Sequence, residues 1–278
     1  MAKCNVCYRH CDIEEGQYGF CTVRTCKDGV ICPENYGKIT SIALDPIEKK
    51  PLNRFYPGSY ILSVGSYGCN LRCPFCQNYQ ISWSDEVDYI RQEARYIAPV
   101  ELARIAMEQR INGNIGVAFT YNEPLIFYEY VLDTAKILEK EDLKTVLVTN
   151  GMADPSVVGN LFNHVHAMNI DLKGFTDRYY QNVLKGNRQM VMDFISEAAQ
   201  HCHVELTTLI IPGENDSDEE IRSLSKWIST ISPDIPLHLS RFFPRFNMTD
   251  RDATDVDLIY HLKEVAEEYL QYVYTGNC

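Results

Sequence analysis

From about residue 99 onward, apolar β-branched runs alternate with segments whose apolar positions recur at helical spacing. Residues 115–121, 144–150, 167–173, 203–211 and 236–243 read as strands, and 61–67 as a strand leading them. Between and after them, 100–112, 125–142, 155–164, 188–201, 218–231 and 255–270 read as helices. Asp154-Pro155 and Asp216-Ser217-Asp218 carry the short polar residue that opens a helix. Six strands alternating with helices predict a parallel sheet, open or curled into a barrel.

Residues 1–57 follow a different pattern. They combine a hairpin signal at Lys27-Asp28-Gly29 with an irregular stretch, Asp45-Pro46-Ile47-Glu48-Lys49-Lys50-Pro51. Pro57-Gly58 marks a boundary, giving a small module over 1–57 and an α/β body over 58–278. No fixed-period repeat or low-complexity tract interrupts either part.

Composition narrows the function classes. The 278 residues hold 26 Lys+Arg against 38 Asp+Glu, a formal charge of −12. That balance argues against nucleic acid as a partner, since a phosphate-backbone binder needs a broad basic surface. No apolar run is long enough for a membrane span, and the opening residues lack a signal-peptide pattern, so a soluble, cytoplasmic chain is expected. Of eleven cysteines, Cys4, Cys7, Cys11, Cys21, Cys26 and Cys32 fall in the first 32 residues, and Cys69, Cys73 and Cys76 crowd together. An odd total in a chain of this size favours thiolate–metal chemistry over a disulfide framework.

The most informative stretch is Gly68-Cys69-Asn70-Leu71-Arg72-Cys73-Pro74-Phe75-Cys76-Gln77-Asn78. Three cysteines spaced C-x3-C-x2-C in one loop can wrap an iron–sulfur cluster while supplying one ligand fewer than a closed site. A zinc knuckle completed from elsewhere, or three buried thiols, would also satisfy the spacing. The aromatic Phe75 just before the last cysteine matches the radical S-adenosylmethionine (SAM) signature.

On these residues the chain resembles radical SAM enzymes, and more narrowly the radical SAM member of the AmmeMemoRadiSam system, related to pyruvate formate-lyase activases. The resemblance extends through Ala43–Leu52, Phe55-Tyr56-Pro57-Gly58, Thr120-Tyr121-Asn122-Glu123-Pro124 and Val148-Thr149-Asn150-Gly151. It continues in Asp171-Leu172-Lys173, Ile211-Pro212-Gly213-Glu214-Asn215-Asp216, Arg241–Arg245 and Tyr272–Asn277. It implies an α/β fold, a partial (β/α)6, TIM-like barrel with a small N-terminal cysteine-rich module. It also implies a [4Fe–4S] cluster on Cys69, Cys73 and Cys76, with SAM bound at the open iron. Reductive cleavage would then give methionine and a 5′-deoxyadenosyl radical that abstracts hydrogen from a substrate the sequence does not identify. Phe75 would lie beside the adenine. Tyr121, Asn122 and Glu123 would hold the SAM amine, Thr149 and Asn150 would meet the ribose, Lys173 the carboxylate and Asp171 a ribose hydroxyl or a cation. Thr207 is a further inward-facing candidate. A helix cap at Asn122-Glu123-Pro124 and a structural Asp171–Lys173 pair are the plainer readings of the same residues.

The resemblance implies a flavodoxin or ferredoxin as reductant, and Memo-like and AMMECR-like proteins as partners. A glycyl radical activase acting on a partner protein is the alternative function. Val148 and Thr207 stand where such activases carry an aspartate and an arginine, which puts a cation site and activase chemistry in doubt. Cys4, Cys7, Cys11 and Cys21 could form a tetrahedral zinc or iron site, an auxiliary Fe–S cluster, or remain free thiols. Cys26, Cys32 and His10 are further options. His201-Cys202-His203 reads as packing, Tyr128–Tyr130 and Tyr179-Tyr180 as helix surface, and Lys49, Lys50 and Arg245 as facing the substrate mouth.

Overall fold

The computed structural model describes residues 1–278. Its main sheet has eight strands, and the order across it is Val273–Gly276, Leu237–Arg241, His203–Ile210, Ala167–Asp171, Lys144–Thr149, Asn114–Phe119, Tyr60–Gly65, Ser41–Pro46. All neighbours pair in parallel except the last two strands, which are antiparallel. The two outer strands do not pair with each other, so the barrel is partial. Six central strands match the expected runs, each ending one or two residues earlier. The chain adds a seventh parallel strand from the Tyr272–Asn277 stretch and an antiparallel strand from residues 41–46. Hence residues on both sides of Pro57-Gly58 contribute to one sheet.

Helices cover the outer faces, which is why the outward-facing strand positions are largely apolar, while the interior carries polar residues such as Asn169, Glu205 and His238. Asp218–Ile231 lies where the periodicity places it, capped by Ser217 accepting from the Glu220 amide. Asp154 caps Pro155–Val158, and Asp255 caps Val256–Glu267, in the same manner. Three expected helices change character along their length, among them residues 100–112, where Pro99–Glu108 is followed by a 3-10 turn, Gln109–Asn112. Residues 125–142 open as a 3-10 turn, Pro124–Phe127, before Tyr128–Lys140, and residues 159–164 continue Pro155–Val158 as a 3-10 turn. Tyr130, Tyr179 and Tyr180 are buried rather than on the helix surface. Tyr130 and Tyr180 find partners for their hydroxyls, Tyr130 donating to the Ile97 carbonyl and Tyr180 accepting from the Lys173 amide, which lets the rings join the core.

The N-terminal residues form the predicted hairpin, Arg24–Lys27 with Val30–Pro33, across a turn in which Asp28 and Gly29 both have positive φ. Residues 47–55 close one end of the barrel. Ile47, Leu52 and Phe55 pack against Ile61, Ala118, Val146 and Ala167. Asn169 donates to the Pro51 carbonyl at 2.9 Å, and Glu205 accepts from the backbone amides of Asn53 (3.0 Å) and Arg54 (2.7 Å). His203 and His238 stand 2.9 and 2.7 Å from the same carboxylate. Lys50 is buried and bonded to Asp45 at 2.9 Å, so it enters the barrel interior and does not face the mouth.

Burial disfavours the Glu205 charge, but the bonds from His203, His238 and the two backbone amides outweigh it and hold the carboxyl down to about 2. A group whose folded pKa is depressed contributes stability that is present above its unfolded value and lost as pH falls toward the folded one. Stability should therefore decline between pH about 4.5 and about 2 as Glu205 is protonated. Glu205→Gln should remove this part of the slope and cost on the order of 3 kcal/mol near neutral pH, read from denaturant unfolding across pH.

Candidate functional site

Gly68 opens the cysteine loop directly after the strand Tyr60–Gly65, with φ +87°. A Cβ there would sit 2.2 Å from the Val23 side chain and 2.7 Å from the Cys21 carbonyl, so only glycine lets the loop approach the N-terminal module. Asn70, fully buried, donates to the Met152 carbonyl at 2.7 Å and accepts from Asn150 at 2.9 Å. The Arg72 amide donates to the Leu184 carbonyl, and the Pro74 carbonyl accepts from the Asn247 amide. These bonds hold the loop across the barrel mouth. Cys69, Cys73 and Cys76 all lie within it, and burial is the main cause pushing each thiol up, Cys73 to about 12. Phe75 is buried beside them.

Glu123 is the charged anchor beneath Cys69. It accepts from the Thr149 hydroxyl (2.6 Å), the Asn150 amide (2.8 Å) and the Leu125 amide (3.0 Å). Burial pushes its carboxyl up to about 7 against these bonds. The helix-cap reading of Glu123 is thus realised, while the same side chain also ties the second and third central strands together. On the other flank, Lys173 pairs with Asp171 at 2.8 Å. Burial opposes the Lys173 charge, but Asp171 and Cys73 hold its pKa well above the usual value. The strand ends at Asp171, so the two meet through a turn and not through strand alternation. Asn215, from the Ile211–Asp216 motif, donates to the Lys173 carbonyl at 2.7 Å and fixes that turn.

Several of the residues expected to meet a ligand also make bonds within the protein. Asn122 spends its amide on the Ser66 amide and on the Tyr67 and Gly68 carbonyls. Tyr121, at φ +72°, packs beside Gly65 and turns its hydroxyl to Asp45 at 3.0 Å, away from the cysteine loop. Thr149 serves Glu123, and Asn150 serves Asn70, the Met152 amide and Cys69 Sγ at 3.7 Å. These two therefore brace the loop. Thr207, in register with Asp171, donates to Asn169 at 3.0 Å in the barrel interior. Asn70, Asn215 and Arg72 were not singled out by sequence; a polar residue inside a motif signals importance but not its partner.

Cys4, Cys7, Cys11 and Cys21 line one small cavity of about 10 Å3 together with His10 and Arg24. Cys26 and Cys32 lie on the hairpin outside it, opposite Ile31 and Thr25, and Cys26 donates to Glu15. His201, Cys202 and His203 line a separate cavity with His164 and His166. As the side chains stand, no three His, Cys, Asp or Glu residues gather around a single-ion position anywhere in the chain. No helix is long and apolar enough to cross a membrane.

Comparison with known proteins agrees with this geometry. The model of the Radical SAM superfamily matches residues 63–224. An uncharacterized protein of Methanocaldococcus jannaschii is 37% identical over 99% of this chain and 81% of its own length. Pyruvate formate-lyase 1-activating enzyme of Escherichia coli K12 is 25% identical over 58% of this chain and 65% of that enzyme. Among solved structures, Streptococcus suis SuiB bound to S-adenosylmethionine aligns with a TM-score of 0.60 at 16% identity, over 78% of this chain. The chain spans about half of SuiB, 52% of its length. A family model covering more than half of the residues, placed over the cysteine loop and the strands that carry it, settles the assignment: this chain belongs to the Radical SAM superfamily.

Proposed function

We propose that the barrel mouth binds a [4Fe–4S] cluster on Cys69, Cys73 and Cys76 and SAM beside it, and that the chain is a substrate-modifying radical SAM enzyme of the AmmeMemoRadiSam type. Membership in the family implies the cluster and SAM. The observation that carries the residue assignment is the placement of opposite charges about the three thiols. Glu123 acts electrostatically on Cys69, and Lys173 on Cys73. A zwitterionic amino acid seated between them would have its ammonium toward Glu123 and its carboxylate toward Lys173.

The bound group supplies one-electron cleavage of the SAM sulfonium, leaving methionine and a 5′-deoxyadenosyl radical. The chain supplies the rest. Asn70, Asn150 and Glu123 fix the loop, Lys173 orients the carboxylate, and the residue 47–55 plug closes the far end of the barrel to water. Reduction by a flavodoxin or ferredoxin, and work alongside Memo-like and AMMECR-like proteins, belong to this proposal. Val148 and Thr207 support it over the activase alternative, since they remove the charged pair that activases carry.

Cys73→Ala should abolish the brown iron–sulfur absorbance after anaerobic reconstitution and lower 5′-deoxyadenosine output by about a hundredfold or more, with circular dichroism unchanged. Output at the wild-type level would refute the cluster assignment. For Glu123, the raised pKa sets the sign: the carboxylate that attracts an ammonium is formed only as pH rises through about 7. SAM affinity of the reconstituted protein should therefore strengthen between pH 6 and 8, by at most about tenfold per pH unit, and Glu123→Gln should flatten the profile. Equilibrium dialysis with labelled SAM across that range reads both.

A further inference from the structure

An open cleft of about 730 Å3 lies on the solvent side of the cysteine loop. Its walls come from Arg9 and Phe20 of the N-terminal residues, Arg72 and Pro74 on either side of Cys73, and Lys185, Glu214 and Arg251 from loops beyond the central strands. Arg251 is neutralised there by Glu214 at 3.1 Å and Asp250 at 3.2 Å. The other three cations are not: no carboxylate lies within 4.0 Å of Arg9, Arg72 or Lys185. In a chain of net charge −12, half of the 26 Lys and Arg have a carboxylate partner, and three of those without one converge on this single concavity.

The neighbours of these cations do not cancel their charge. Arg9 donates to the carbonyls of Asn70 and Lys185, and Arg72 to those of Cys69, Leu71 and Phe20. Carbonyls fix the guanidinium planes but leave the positive charge standing. Both guanidinium groups also lie over the Phe20 ring, 3.3 and 3.9 Å from its centroid, which keeps two like charges within each other's field. Two cations locked together without a counter-ion repel each other, and a bound anion relieves that repulsion. Arg72 also lies near the loop thiols and shares its field with them. Arg9 and Lys185 remain.

We propose that this cleft binds a carboxylate or phosphate group of the substrate, making the substrate of this enzyme an anion. The inference rests on the radical SAM reading above. It extends that reading by placing the anionic handle beside Pro74, where it anchors the rest of the molecule at the barrel mouth. The concave shape and the small-molecule size favour a substrate group over the surface of an acidic electron-transfer protein, for which the cations would have to protrude.

Equilibrium dialysis of the reconstituted holoenzyme against radiolabelled phosphate, and separately against radiolabelled succinate, tests the site and tells the two oxyanion chemistries apart. The wild type should bind one of them saturably, one per chain. Arg9→Gln/Lys185→Gln should weaken that binding by about tenfold or more, whereas Lys185→Arg should keep it within about threefold. If the double variant does not fold, Lys185→Gln alone should still weaken binding, by about threefold or more. No saturable binding of either anion, or equal affinity in wild type and variants, overturns the proposal. Unchanged anion affinity combined with slowed reduction by an acidic electron-transfer protein overturns it in favour of a docking face. The readout needs neither SAM nor reductant, so its failure is separable from failure of wild-type SAM cleavage, measured apart.

Discussion

The arrangement of the mouth depends on one buried carboxylate. Glu123 is almost completely removed from solvent, a position that disfavours its charge by several kcal/mol unless donors surround it. Three donors do: the Thr149 hydroxyl and the amides of Asn150 and Leu125. Two come from adjacent residues at the end of the strand Lys144–Thr149 and the third from the 3-10 turn that Glu123 itself caps, so satisfying one buried carboxyl ties a strand end to the start of a helical segment. Asn150 then passes that order to Asn70, and Asn70 to Met152, beneath the cysteine loop. The loop geometry is thus set by the ends of the sheet before any metal arrives, which is what a preorganised site requires.

The opposite end of the barrel obeys the same logic with different residues. Glu205 accepts from the amides of Asn53 and Arg54, with His203 and His238 on either side, and so pins the crossing segment that inserts Ile47, Leu52 and Phe55. Asp45 and Lys50 form a second tie inside, where burial disfavours both charges but Lys50 and Tyr121 hold the Asp45 carboxyl well below its usual range. A closed floor and an open mouth mean that a ligand can meet the cysteine loop only from the side where the strands end. Tyr121 runs between the two ends, from its backbone beside Asn122 to its hydroxyl on Asp45, and so joins floor and mouth mechanically.

How far the sequence could be read follows from the range of each interaction. Periodicity reports local burial, so the central strands and the helix Asp218–Ile231 were legible to within a residue or two. Cysteine spacing reports a single loop, so the position of Cys69, Cys73 and Cys76 on one turn was legible as well. The protein partners of Asn122, Thr149 and Asn150 were not. Each carries a side chain able to bond a ligand or the protein, and the groups it bonds here lie far away along the chain. Asn150 bonds Asn70 from 80 positions off, and Asn53 reaches Glu205 across 152. Tyr179 and Tyr180 were misplaced for a related reason: tyrosine fits a wet surface or a core equally well until its hydroxyl finds a partner.

The two cysteine groups are joined structurally. Gly68 approaches the Cys21 carbonyl so closely that no side chain fits between them. Arg72, one residue before Cys73, donates to the Phe20 carbonyl, and Arg9, between Cys7 and Cys11, donates to the Asn70 carbonyl. These contacts are reciprocal in effect: the front residues lend the loop its outer wall, and the loop closes the inner side of the front residues. A stretch with two-residue strands and a hairpin of two four-residue strands has little core of its own. It gains order from the barrel, and in return places Arg9 and Phe20 beside the loop that carries Cys73. The N-terminal cysteines therefore belong to the architecture of the mouth, because the backbone that carries them is also the wall of the site.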